Sequence, residues 1–231
     1  MNKMMKWGLA SLLSLSLCSQ SMAAFTINGT RFIYEEGKKN VSVEVTNNTD
    51  VAYGGQVWVD NVGKDTTVSI VPTPPFFKVG PKQKQIVRLM KTDGGRLPSD
   101  RESLFWLNIQ EIPPKPKEGG NVLSVAVNTR VKVFYRPKAL LDSRRGAESR
   151  IEVVHRGSTT YLKNPTPYWF AVTKVKVNGE VISLSRDEDQ KLSMMGPFGE
   201  VAVSKLSSDM KNISVDTIND WGGVDSYVLK G

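Results

Sequence analysis

Cysteine and histidine are nearly missing from this chain. Cys18 is the single cysteine and His155 the single histidine. Metal sites assembled from Cys and His are excluded on count, and a cysteine nucleophile has no candidate once residue 18 is set aside. His155 follows "IEVV" and precedes "RGS", the setting of a strand-end histidine and not of a catalytic base. No glycine run carries the Lys and Ser/Thr of a phosphate cradle. Beyond the first residues no apolar run could cross a bilayer, and no stretch has the apolar spacing of an amphipathic helix. The acidic run "RDED" at 186–189 lies between strand-like segments and reads as a solvated turn. The sequence therefore points to no catalytic residue, no metal and no cofactor.

The N-terminal stretch "MNKMMKWGLASLLSLSLCSQSMAA" sets Lys3 and Lys6 before an apolar run from Leu9 to Leu17, followed by small residues. That is the pattern of a secretory signal peptide. Cleavage is expected after Ala23, because Ser21 and Ala23 fill the two small-residue positions. Leu17 is too bulky for the position before a lipidated cysteine, so Cys18 is expected to leave with the leader. An exported chain without cysteine has no disulfides and stands on its apolar cores. The formal net charge is +8, yet aromatic residues do not interleave with the basic ones as they do on a nucleic-acid surface. Lys115 and Lys117 in "IPPKPKEGG" (112–120) read as a solvated loop tip.

Nearly every ordered segment has a period of two. Strands are expected near 25–34, 41–47, 52–60, 66–71, 83–90, 103–111 and 122–135, separated by stretches rich in Gly, Asn, Asp and Pro. Seven short strands in about 110 residues outline an immunoglobulin-like sandwich. A second set is expected near 150–155, 159–163, 168–177, 180–184, 191–195, 200–205, 213–218 and 224–230. Within it "KVKVNGEVI" has Asn178-Gly179 at a type I′ hairpin turn. The fold expectation is all-β, two sandwiches in tandem, with the first domain over 24–139 and the second over 140–231.

The segment "NVLSVAVNTRVKVFYRP" (121–137) is the longest of these strands. Leu123, Val125, Val127, Val131 and Val133 share one phase of its alternation, and Lys132 lies on the other. Alternation alone assigns the oily phase to the protein's own core.

Preceded by "DRESLFWLNIQEIPP" (100–114), this segment resembles the periplasmic pilus-assembly chaperones, the PapD-like family. "TRFIY" (30–34), "TPP" (73–75), "NPTPY" (164–168) and "INDWGG" (218–223) fall in that family's order at compatible spacings. The resemblance implies a boomerang of two immunoglobulin-like domains in the periplasm. It implies pilus or fimbrial subunits as partners, each lacking its last strand, and an outer-membrane usher that receives them. No nucleic acid and no small-molecule substrate would be involved. The long strand would be lent to the subunit, with Leu123, Val125 and Val127 entering its groove. Arg31 and Lys132 would grip the subunit's C-terminal carboxylate. Glu102, Arg136 and Asp220 match an inter-domain ion network. Gln56, Thr73 and Pro74 would belong to the usher-facing surface, with Thr73-Pro74 matching a turn that can be cis, and Gly54 stands where relatives commonly carry a larger apolar residue. The short loop "IPPKPKEGG" resembles the subclass that assembles rod-like pili. Without a client, the open strand would be capped by a dimer of the chain with itself. The rival reading is an exported structural or adhesin protein of two sandwiches.

Overall fold

The computed structural model describes residues 23–63, 67–93, 96–115 and 125–230. The first half is built from β1 (Phe25–Ile27), β2 (Arg31–Glu35), β3 (Val41–Asn47), β4 (Tyr53–Asn61), β5 (Ile70–Thr73), β6 (Phe76–Val79), β7 (Lys84–Lys91), β8 (Ser103–Ile112) and β9 (Asn128–Arg136). They form two facing sheets, in the orders β1-β3-β7-β5 and β2-β9-β8-β4-β6. Val43 and Val45 of β3, Val87 and Leu89 of β7, Leu107 of β8 and Val133 of β9 are fully enclosed between the sheets. Each such side chain contributes roughly 1.5–3 kcal/mol of transfer free energy.

The second half contains β10 (Glu152–Arg156), β11 (Thr159–Lys163), β12 (Val172–Val177), β13 (Glu180–Val181), α1 (Arg186–Leu192), β14 (Glu200–Ala202), β15 (Ile213–Ile218) and β16 (Val224–Val228). Its sheets run β10-β11-β14 and β13-β12-β15-β16. Ile151, Leu162, Val175, Leu192, Val203 and Val215 form its separate core. The molecule is thus all-β with two immunoglobulin-like sandwiches, as the turn spacing suggests. Asn178 and Gly179 both have positive φ, 53° and 88°, as the type I′ turn between β12 and β13 requires. His155 sits in β10, its Nδ1 2.9 Å from Thr160 Oγ1 across the pair with β11.

Four expectations are corrected. The strand expected over 25–34 is two strands in two different sheets. The pairing ends at Asn28, whose N–H still donates to the Glu44 carbonyl at 3.2 Å while its Oδ1 accepts the Glu44 N–H at 2.9 Å, and the chain then crosses to the other sheet. The strand expected near 191–195 and the acidic turn before it are one helix, α1. Ser185 caps it: its hydroxyl accepts from Glu188 N at 3.3 Å and Glu188 Oε2 accepts from Ser185 N at 2.7 Å. The short strand β6 falls in a stretch read as a turn. Its neighbour β5 ends at Thr73, where the Thr73-Pro74 bond is cis. Finally, β9 begins at Asn128, and residues 125–127 are not strand. Leu123 lies outside the described residues.

Candidate functional site

Alternation along β9 sorts its side chains between two environments. Val131, Val133 and Tyr135 enter the first core. Lys132, Phe134 and Arg136 emerge on the sheet's other face, where Lys132 and Arg136 meet the second domain. The apolar phase runs on upstream but loses its cover. Exposure is 0% at Val133 and 8% at Val131, then 36% at Val127 and 63% at Val125.

The hydrogen-bonding edges tell the same story. On one side β9 pairs with β8 over all but its last residue, from Asn128 opposite Gln110 to Tyr135 opposite Ser103. On the other side it pairs with β2, in parallel, only from Lys132 to Arg136. Upstream of Arg31 the chain has left for the opposite sheet, where β1 pairs with β3. Among the described residues no strand pairs with the Asn128–Val131 stretch on that side. An unpaired edge, with exposed valines just upstream of it, is a template for another strand.

The cationic pair lies where this open edge stops. Arg31 and Lys132 are register partners at the first residue of the β2–β9 pair. Arg31 Nη1 donates to the Ile218 carbonyl at 2.8 Å, and Lys132 Nζ donates to the Ser193 carbonyl at 2.6 Å. The Arg31 guanidinium lies 5.9 Å from the Phe134 ring centre, and the Lys132 ammonium 5.7 Å from that of Trp106. Burial, and then the neighbouring Arg31 charge, bring Lys132 down to about 8. Burial also lowers Arg31, against the pull of Asp220. Two cations side by side, both short of anionic partners, suit one carboxylate: Arg offers a fork and Lys a compact charge.

Glu102, Arg136 and Asp220 meet in one cluster between the domains. Arg136 Nε donates to Glu102 at 2.6 Å, and its two terminal nitrogens donate to Asp220 at 2.7 and 3.1 Å. Burial works to raise the Asp220 carboxyl, but the hydrogen bonds and charge of Arg136 hold it below its usual range. Glu102 also accepts from the Trp169 backbone N–H at 2.8 Å, and its own N–H donates to the Pro167 carbonyl at 2.9 Å. Sequence reasoning missed two members. Arg144 lies 3.5 Å from Asp220 and makes a two-pronged contact with Glu148 at 2.7 and 2.9 Å. Their four-residue spacing was the available signal. Arg31, Arg136, Arg144 and Asp220 all line a cavity of about 1020 Å³ between the domains.

Gln56 lies in β4 of one sheet, and Thr73 ends β5 of the other with Pro74 directly after it. Gln56 is in register with Gln110 on one side and Phe76 on the other. Phe76 is 61% exposed and Ile112 43%, two apolar residues the sequence reading did not single out. A Cβ on Gly54 would come within 3.2 Å of the Ile112 Cβ, so Ile112 takes the ground that a larger residue at 54 would occupy.

Two family models match. "Pili and flagellar-assembly chaperone, PapD N-terminal domain" covers residues 24–141 and "Pili assembly chaperone PapD, C-terminal domain" covers 146–229. The chain belongs to the PapD family of pilus-assembly chaperones. It is 46% identical over 220 residues to the chaperone protein FanE of Escherichia coli, covering 94% of this chain and 96% of that one. To the chaperone protein FaeE of Escherichia coli it is 40% identical over 216 residues, covering 92% and 81%. Its fold matches a chain in the structure of the Salmonella enterica SafA pilin in complex with the SafB chaperone with a TM-score of 0.74, at 26% identity over 91% of this chain and 99% of that one. These curated PapD-family relatives are named chaperones, which leaves the structural or adhesin reading without support among them.

Proposed function

We propose that this chain caps pilus or fimbrial subunits by lending them the strand that begins upstream of β9, and passes them to an outer-membrane usher. The observation that carries the reading is the open edge at Asn128–Val131 ending at Arg31 and Lys132. A strand added to that edge cannot continue past β2, which occupies the edge from Lys132 onward. Its end must therefore stop at the two cations. A subunit whose C-terminal carboxylate is that end runs parallel to β9, in line with β2. Val125 and Val127, with Leu123 upstream, would fill its groove, while main-chain bonds supply sequence-tolerant affinity. The carboxylate fixes the register, which an alternating apolar strand leaves free to slip by two residues. The Glu102–Arg136–Asp220 cluster would set the angle between domains 24–139 and 140–231. Gln56, Thr73 and Pro74, with Phe76 beside them, would meet the usher.

The protein acts by binding, with no catalytic step and no cofactor. It works in the periplasm after removal of residues 1–23, and intact-mass measurement of the exported protein is expected to show Ala24 as its first residue. Without client the exposed edge is an association hazard, and a self-capped dimer is expected in concentrated solution.

The test is a pull-down of the tagged protein from periplasm, with mass identification of what is bound. Wild type is expected to carry pilus subunits lacking a final strand. Arg31→Ala and Lys132→Ala are each expected to fold and to lose most of that cargo, since a charged hydrogen bond is worth about 1.5–3 kcal/mol. Full cargo on both variants would rule out the anchor.

A further inference from the structure

Arg31 and Lys132 donate to groups of an unusual kind for half-buried cations. Arg136, two repeats of the alternation along from Lys132, takes carboxylates from Glu102 and Asp220. Arg144 takes Glu148. Arg31 and Lys132 instead donate to neutral backbone carbonyls, those of Ile218 and Ser193. Both carbonyls belong to the second domain, and they come from different walls of it. Ile218 ends β15, and Ser193 is the C-terminal cap of α1. Arg31 Nε, moreover, is buried with no hydrogen-bond partner, so its donor capacity is not used up.

We propose that these two carbonyls are stand-ins for the client's carboxylate, forming a latch that closes the second domain onto the first when no client is bound. The inference rests on the carboxylate-anchor reading above. A carboxylate offers charge-assisted bonds to both cations, roughly twice as strong as bonds between neutral groups and stronger than those a lone carbonyl accepts. On arrival it takes Arg31 and Lys132 together and releases Ile218 and Ser193. The second domain then swings on the contacts that remain. These are the Arg136–Asp220 pair and the Glu102 bonds to Trp169 and Pro167. The cleft thus contains a permanent pivot, built from opposite charges, and a releasable latch, built from cations on neutral carbonyls. The angle between domains reports whether a client is aboard.

The chain from Ala24 onward has no cysteine, so a single pair of spin labels can be placed without background. Arg88→Cys on β7 and Glu180→Cys on β13 are both exposed and lie in different domains. Pulsed dipolar spectroscopy then reads their separation in three samples: the empty protein, the empty protein carrying Arg31→Ala and Lys132→Ala, and the complex with whichever subunit the periplasmic pull-down yields. The latch expects one narrow distance in the first sample and a shifted or broadened distribution in the other two. Superimposable distributions for the empty protein and its folded double variant overturn the latch, whatever the protein binds. An unchanged distance in the loaded complex overturns it as well. A pull-down without subunits defeats the proposed function instead, and leaves the comparison of the two empty proteins to decide the latch.

Discussion

At the scale of single residues, Lys132 is the most informative group. Its folded value of about 8 lies below the ordinary 10.5. Between those two pH values the unfolded chain binds more protons than the folded one, so the stability this lysine governs rises with pH across that window. Client binding runs the other way. A carboxylate needs the ammonium form, so affinity is expected to fall as pH rises through about 8, and binding above that pH is expected to take up a proton. Calorimetric titration at pH 8.5–9 in buffers of different ionisation heat measures that uptake directly, and Lys132→Met is expected to abolish it. Neither the pair nor its role could be read from composition. Arg31 and Lys132 are 101 positions apart, and only the resemblance of "TRFIY" and "TRVKV" to family motifs brought them together before the fold showed them in register.

At the scale of elements, β9 changes owner along its length. Val133→Ala removes enclosed methyl groups and is expected to cost about 2 kcal/mol or more in urea unfolding. Val125→Thr touches an exposed position and is expected to stay within about 0.5 kcal/mol while weakening subunit capture. The same two residues share one phase of one pattern, so the sequence shows that the strand has an oily side without showing where its cover ends. That boundary falls where the chain between β1 and β2 crosses from the opposite sheet and leaves the edge bare, a feature distant in sequence from the strand it exposes. The helix α1 was hidden for a different reason. Only seven residues long, with Glu188 and Leu192 its buried members, it offers little periodicity, and its one clear signal was the capping box "SRDE". Ser185→Ala is expected to lower stability by about 1 kcal/mol. Hydrogen bonds from the backbone of Ser204 and Ser185 hold Glu188 down at about 2. The stability this carboxylate provides is present above its ordinary value and is expected to drain away as pH falls from about 4.5 toward 2, which acid titration of wild type against Glu188→Gln checks.

At the scale of the whole molecule, two small sandwiches without a disulfide meet at a buried charge cluster. Removing Arg136 leaves Glu102 and Asp220 without their shared counter-charge. Arg136→Ala is expected to cost about 3–5 kcal/mol and to split one thermal transition into two in scanning calorimetry. Turn spacing made the two-sandwich plan legible, because each sandwich closes locally. The joint was legible only in part: Glu102, Arg136 and Asp220 sit in motifs, whereas Arg144 and Glu148 sit in a polar stretch with no apolar pattern to announce that it is buried. The central claim concerns the edge of β9, and amide hydrogen exchange of the protein alone and in complex with a captured subunit tests it most directly. Strand lending expects new protection on binding, concentrated in residues 121–131 and fading beyond Lys132, where β2 already holds the edge. A stoichiometric complex in which 121–131 gain no protection would contradict it.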